Sequence, residues 1–290
     1  MATILTNPQE VPAPAPPGRR YGLFDAAIMP GALSGSVVAS GLTFAAEDCG
    51  VSVSLYNPGC EPPHPEKPFV EGMQWVESAP YWALTTYQCG TVGTAADDVA
   101  RRVRRRYNAG VQWAIEATVW TGSGQAGVPS LSNATATTVT PDAPGAGAAI
   151  AALEEAFYDQ HGYMGTIHMN QRGYAAAQYA GLLTRQGGAG ALRTPLGSSW
   201  ALGAGYGVTG PEGAAPDDGF VWAFMTPQVY LWETPVPQPD PVQTLDRLHN
   251  QWMAVTEAVW VHAWLCDTVM AVQVPVAAPA TVDITPAVTP

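Results

Sequence analysis

Apolar side chains return at steps of three and four between residues 94 and 124: Val99, Val103, Tyr107, Val111, Ala114, Ile115 and Val119. A helix turns once in 3.6 residues, so this spacing gathers them on one stripe and leaves the other faces polar. The pattern predicts a long amphipathic helix over about 97–120, roughly 24 residues and about 36 Å at 1.5 Å per residue. Thr94 or Asp97 is placed to cap its start. Asp97 and Asp98 fall in the first turn, where the helix dipole favours negative charge, and Gly122 and Gly124 stop the helix.

On either side of this beam the pattern changes to short runs of alternating and β-branched residues. Residues 33–53 (SGSVVASGLTF, then GVSVSLY) read as short strands, and residues 69–92 as a second extended run rich in aromatics. Between them, residues 57–68 hold five prolines in twelve positions, which excludes helix and sheet interior. Two strand-like runs joined by a proline-rich tip describe a long two-stranded excursion. Such a ribbon is marginal alone in water and needs a surface to lie on. The proline-rich residues 1–20 are an arm that cannot build a core of its own.

After the beam, residues 125–148 are an Ala/Thr/Gly/Pro connector that opens a second module. Ala149 to Tyr158 reads as a helix, Gly165 to Met169 as a strand, Arg172 to Leu183 as an Ala-rich helix, Arg193 to Val208 as strands around glycines, and Asp217 to Glu233 as a strand pair. Pro235, Pro237, Pro239 and Pro241 mark a return linker. Asn250 to Leu265 fits a helix or a strand by periodicity; its β-branched and aromatic content favours a strand, with Val255, Glu257, Val259 and Val261 on one face. Asp267-Thr268 then turns into another strand over Val269 to Val274, and a tail follows.

Composition sharpens this picture. Apolar residues make up 47 % of the 290 and charged residues only 12 %, about half the usual share, so much of the surface is not designed for bulk water. Burial between copies of the chain is the usual reason, and a secreted, Gly- and Pro-rich β-protein would show the same profile. The net charge of −12 opposes nucleic-acid binding by the chain as a whole and confines any such contact to a local patch. No apolar run is long enough to span a membrane, and the N-terminal prolines do not fit a secretion signal. Synthesis in a cytoplasm is expected, and with it reduced, mostly buried thiols at the scattered Cys49, Cys60, Cys89 and Cys266.

Catalytic motifs are missing. Gly205-Tyr206-Gly207-Val208-Thr209-Gly210 spells GxGxxG, but Pro211 and the Gly/Ala/Pro run behind it preclude the helix that would hold a pyrophosphate. There is no phosphate loop and no serine-hydrolase elbow. His64, His161, His168, His249 and His262 form no metal-ligand spacing, so surface or satisfied core histidines are expected. Catalytic residues, cofactor and metal are all expected to be none.

One charged cluster remains, Arg101, Arg102, Arg104, Arg105 and Arg106, five cations in six positions of the long helix. The chain has eleven arginines and one lysine, and arginine suits bidentate, partly desolvated pairing with carboxylates. The excursion carries Glu61, Glu66, Glu71 and Glu77. A solvated helix face is the plain reading of the arginines; an acidic ribbon and a basic beam in one chain also invite pairing between copies.

The order of parts now resembles a known family. An arm, a two-stranded loop, a long helix ending in IEATVWTGSG, a module with GTIHMNQRGYAAAQYAGLL and LRTPLGSSWALGAGYG, and a return through DRLHNQWMAVTEAVWVHAW resemble the major capsid proteins of tailed bacteriophages, with the Hong Kong 97-type fold. The resemblance implies an α+β fold with an N-terminal arm at 1–34, an E-loop at 50–88, a P-domain at 94–142 and 236–275 with its spine helix at about 97–120, an A-domain at 143–235, and a C-terminal tail at 276–290. It implies a non-enzymatic subunit that self-assembles through pentamers and hexamers into an icosahedral shell around double-stranded DNA. Assembly would take place in the host bacterial cytoplasm, with separate scaffolding and portal proteins and a decoration protein as further candidates. Some members lock their shells by a bond between an E-loop lysine and an asparagine; Lys67 lies in the matching loop, but its surrounding prolines and the lack of a clear acceptor at Asn250 argue for no crosslink. Two alternatives stay open, an encapsulin-type nanocompartment shell and a β-rich virion decoration or binding protein.

Overall fold

The computed structural model describes residues 20–32, 37–47, 49–50, 73–185, 191–234 and 245–276. Its elements run α1 (Leu23–Ala26), α2 (Val37–Ser40), β1 (Leu42–Ala46), β2 (Gln74–Ser78), β3 (Tyr81–Gly90), α3 (Ala96–Thr121), β4 (Thr137–Thr138), α4 (Ala146–His161), β5 (Thr166–Asn170), α5 (Gln171–Tyr179), β6 (Thr184–Arg185), β7 (Leu192–Arg193), β8 (Ser199–Gly203), β9 (Phe220–Thr226), β10 (Val229–Glu233), β11 (Leu245–Asp246), β12 (Gln251–Trp264) and β13 (Met270–Pro275). The tip of the excursion, with Glu61, Glu66, Lys67 and Glu71, lies outside the described residues, as do the first nineteen residues and the tail beyond 276.

The long helix is present as α3, and its buried residues Val99, Val103, Tyr107, Ile115 and Val119 come from the stripe read in the sequence. Its start differs from expectation. The N-cap is Ala95, with no side-chain cap, so neither Thr94 nor Asp97 serves; Asp97 and Asp98 are already helical and act on the dipole from the first turn. Gly122 ends the helix at φ 81°, a conformation that favours glycine.

A four-stranded sheet lies against α3. The 14-residue β12 is its centre, pairing antiparallel with β3 over Gln251–Trp260 on one edge and with β10 and β11 on the other. The strand reading of this segment holds. Alternation sets its two faces: Ala254, Ala258 and Trp260 of β12, with Tyr81 and Ala83 of β3, are buried on the helix side. The hairpin formed by β1 and β2 is the root of the excursion, and it packs through Ala46 and Val76 against Ala263 and Cys266.

The second sheet has seven strands in the order β4-β13-β9-β5-β8-β7-β6. It is covered on both faces, which explains its nearly continuous apolar strands. Along β9, Val221, Ala223 and Met225 face α4 and α5, while Trp222 and Phe224 turn into a core shared with Val119 and Trp120 of α3. β9 and β10 are not the strand pair expected from the sequence. Pro227 interrupts the run, and β10 crosses to pair with β12 while β9 pairs with β13 and β5. β12 and β13 likewise lie in different sheets. Two smaller differences follow from local chemistry. α5 ends at Tyr179 rather than continuing to Leu183, because Gly181 takes φ 69°, and Val37–Ser40 form a helical turn instead of a strand.

Candidate functional site

The α3–sheet layer presents two outward surfaces of opposite character. On the helix side, Tyr107 is held by a buried relay: the Trp260 indole donates to its oxygen at 2.9 Å, and its hydroxyl donates to Glu233 at 3.5 Å. Burial pushes the Tyr107 hydroxyl up to about 12 and also raises the Glu233 carboxyl. With Val99, Val103 and Tyr107 locked beneath, the arginines face outward. Arg101, Arg102 and Arg106 are exposed, and Arg104 and Arg105 half-buried. Their positions span about 7.5 Å of helix axis at 1.5 Å per residue.

Two of the five are oriented by the adjacent strand. Arg102 donates to the Tyr87 hydroxyl at 3.1 Å, and Arg106 to the Thr86 carbonyl at 3.3 Å. Arg101 pairs with Asp98 one turn back. Glu77 sits exposed on β2, and among the described residues no ion pair joins it to the arginines. Within one chain, therefore, the described acidic residue of the loop and the basic ridge are not brought together. Glu61, Glu66 and Glu71 lie outside the described residues.

The opposite surface is apolar. Alternation turns Trp82 and Leu84 of β3 and Met253 and Val255 of β12 away from α3; Trp82 and Leu84 are 58 % and 59 % exposed. Val255 faces Thr86 and Met253 faces Gln88 across the ladder, so these residues share one sheet face. On the root hairpin, Trp75 is 62 % exposed beside Met73 and Glu77. Exposed apolar side chains gathered on one sheet face make this a candidate surface for contact with another chain. The sequence carried its signal in Tyr81-Trp82-Ala83-Leu84, where bulky residues occupy both parities of a strand that can bury only one.

Glu116 is a residue that the sequence reading missed. Fully buried, its carboxylate accepts from the Leu23 amide at 3.1 Å, the Gly205 amide at 3.0 Å and Gln112 Nε2 at 3.0 Å. It joins α1, α3 and the turn after β8. The GxGxxG run has a packing role here: a Cβ on Gly205 would lie 2.1 Å from the Trp113 carbonyl, and one on Gly210 about as close to the Trp222 ring, so these glycines permit close packing. One polar position in an otherwise apolar stripe, Glu116 beside Ile115 and Val119, was the available clue.

The histidines divide. His168 and His262 are satisfied core residues. His262 donates from Nε2 to the Pro129 carbonyl and accepts from Tyr81, and His168 donates to Thr226, whose own hydroxyl is committed to Pro227, and accepts from Tyr206. Burial lowers them to about 4 and about 3. His249 is exposed and bonded to Asp246. His161 departs from expectation: it is buried, tilted at 37° against the Phe157 ring with centroids 4.5 Å apart, and neither ring nitrogen is hydrogen-bonded. The thiol expectation is also corrected. Cys49 and Cys266 form a disulfide across 217 residues of sequence, because the β1–β2 root packs on the segment after β12; Cys89 is free. Among the described residues no cluster of His, Cys, Asp or Glu could hold a metal ion, and no helix is long and apolar enough to cross a membrane.

No protein-family model matches the chain, and no curated protein matches it in sequence. Solved structures do. The capsid of a native GTA particle matches with a TM-score of 0.55 at 12 % identity, covering 93 % of this chain and 96 % of that one. The capsid of an empty GTA particle matches at 0.52, again 12 % identical over 93 % and 96 %. A structure from Mycobacterium phage Adephagia matches at 0.51, 11 % identical over 91 % and 93 %. The chain has the mixed helix-and-sheet fold of phage capsid proteins, from end to end of its neighbours.

Proposed function

We propose that this chain is the major capsid protein of a tailed bacteriophage, a structural subunit whose copies close into an icosahedral shell around double-stranded DNA. The fold shared with GTA capsids over nearly the whole of both chains carries the reading. A further observation supports it: the apolar outer face of the β3–β12 sheet with the root hairpin. In this reading the segments take the roles of the Hong Kong 97-type architecture. Residues 1–34 are the N-terminal arm, 50–88 the E-loop, 94–142 with 236–275 the P-domain at the capsomer edge, and 143–235 the A-domain near its centre.

The basic ridge and the acidic loop then act between subunits. The E-loop of one copy lies across α3 of a neighbour, and Glu61, Glu66, Glu71 or Glu77 pairs with members of the Arg101–Arg106 cluster. A single exposed pair contributes only about 0.2 to 1 kcal/mol, but pairs repeated around every capsomer and partly desolvated add to a closure energy. Packaged DNA is the competing partner for the same arginines. Scaffolding, portal and decoration proteins would come from separate chains, and the shell would be built in the bacterial cytoplasm.

The test is electron microscopy of the purified protein, alone and with its scaffold, followed by nuclease treatment and extraction of the contents. Closed shells with five- and six-fold capsomers that protect double-stranded DNA are expected. Small shells filled with a protein cargo would replace this reading with a nanocompartment. Only monomers or dimers with saturable glycan binding would replace it with a binding protein.

A further inference from the structure

Cysteine oxidation is unexpected in a protein made in a reducing cytoplasm, yet two of the four thiols are joined at a mechanically telling place. Cys49 lies three residues beyond the end of β1, where the excursion leaves the body, and Cys266 lies between β12 and β13. We propose that Cys49 and Cys266 are a post-assembly modification site, a disulfide staple that fixes the outgoing limb of the excursion to the body of its own subunit.

The placement supports this in three ways. The Cα atoms are 5.6 Å apart, inside the span that a disulfide bridges without moving backbone. Around the pair, Ala46 and Val76 from the root hairpin pack on Ala263, with Phe44, Trp232 and Leu265 at the margin, so the two segments are held together by apolar contact before any bond forms. The returning limb already has its own anchor: β2 ends at Ser78, whose hydroxyl donates to the His262 carbonyl at 2.6 Å. Beyond β1 the chain runs through Glu47 and Gly50, both exposed, and the disulfide at Cys49 ties this stretch to the body.

Burial sets the order of reaction. Cys266 is fully buried while Cys49 is half-exposed, so Cys49 meets the oxidant. The oxidant is a low-molecular-weight disulfide such as oxidised glutathione. The Cys49 thiolate attacks one of its sulfurs, the small S–S bond breaks, and one thiol leaves. The Cys266 thiolate then attacks Cys49 Sγ in the mixed disulfide, and the second thiol leaves. Two protein thiols are oxidised, one small disulfide is reduced to two thiols, and the protons lost by the cysteines are taken by the leaving thiolates. In the cytoplasm the equilibrium favours thiols and a loop root free to adjust during assembly; after release from the cell it favours the staple. This timing rests on the capsid reading, whereas the bond itself does not.

Subunit and shells are purified with reductant, then divided between reductant and oxidised glutathione. Thiols are blocked and peptides mapped without reduction. Expected is a Cys49–Cys266 linked peptide in the oxidised sample, with Cys60 and Cys89 alkylated; four alkylated thiols, or a link to Cys60 or to another subunit, overturns the proposal. Amide hydrogen exchange of β1 and β2 is expected to slow at least about tenfold on oxidation, as for a locally stabilised unit, and not to change in Cys49→Ser; equal exchange in both redox states overturns the anchoring role. Reduced wild-type and Cys49→Ser proteins are expected to assemble in full yield. Shells that form only from oxidised subunits overturn the timing. Failure to form shells in either state overturns the capsid reading and the timing together, and the peptide map and exchange data still decide the staple.

Discussion

Replacing Glu116 by glutamine removes a charge without changing shape, and the structure fixes the cost. Oε1 accepts from the Leu23 amide and Gln112 Nε2, and Oε2 from the Gly205 amide. A glutamine oxygen placed at Oε1 keeps two of these bonds, each falling from the charged to the neutral range, a loss of about 1 kcal/mol apiece. The new amide group then points its own hydrogens at the Gly205 N–H, which loses its partner in a buried site, at about 1 to 3 kcal/mol. The total is about 3 to 5 kcal/mol, a large part of the roughly 5–15 kcal/mol that stabilises a domain. Relaxation is restricted because the Gly205 turn is pressed on the helix, with the Trp113 carbonyl 2.1 Å from where a Cβ would stand. At roughly 2–4 °C per kcal/mol for a chain near this size, calorimetry of Glu116→Gln should show a melting point lowered by about 10 °C. Leu23 opens the short helix after Arg20, so trypsin cleavage at Arg20 should also accelerate, tenfold for each 1.4 kcal/mol of local loss. A melting point within about 2 °C of wild type with unchanged cleavage would refute the view of Glu116 as the tie between α1, α3 and the β8 turn.

Three further outcomes are expected. Arg101→Glu with Arg105→Glu should block assembly of empty shells, scored by sedimentation, and Glu77→Arg with matching changes at Glu61, Glu66 or Glu71 should restore part of it; normal empty shells with defective DNA content would assign the ridge to packaged DNA. Denatured particles should run as single chains on a gel, and covalent ladders that vanish in Lys67→Ala would refute the absence of a lysine crosslink. His168 and His262 are neutral in the fold and take up protons on unfolding below their ordinary value near 6.5. Their contribution is therefore complete above about pH 6.5 and is lost as pH falls towards 4, at about 1.4 kcal/mol per pH unit for each histidine. Urea midpoints measured between pH 7 and 4.5 should fall accordingly, and a flat profile in that window would contradict their buried, neutral state.

The periodic parts of this chain were legible because a single physical rule governs them. Val99, Val103, Tyr107, Ile115 and Val119 could share one face only as a helix, and the β-branched run over residues 251–264 had to choose between two periods that its side chains settle. Non-local facts left weaker traces. Nothing in the spacing of Cys49 and Cys266 says that two cysteines separated by 217 positions return to one place, and nothing in Phe220–Glu233 says that its two strands part at Pro227 into different sheets. The arginine ridge was readable in composition, whereas the apolar face of β3 and β12 required the register that sets Trp82 and Leu84 opposite the helix. Glu116 was visible only as a polar letter in an apolar stripe, and two of its three partners, Leu23 and Gly205, lie 93 residues before it and 89 after it.

The parting of those strands matters for a body under load. The polypeptide passes between the two sheets through α3 from β3 to β4, and then directly from β9 to β10 and again from β12 to β13, while Trp120 of α3 packs edge-on against Phe224 of β9. A single crossing would act as a swivel, free to twist about one strand. Two crossings set side by side resist torsion, and they divide tension between peptide chains instead of concentrating it on side-chain contacts. The two sheets are therefore joined at neighbouring points by the backbone itself, in addition to the side chains packed between them.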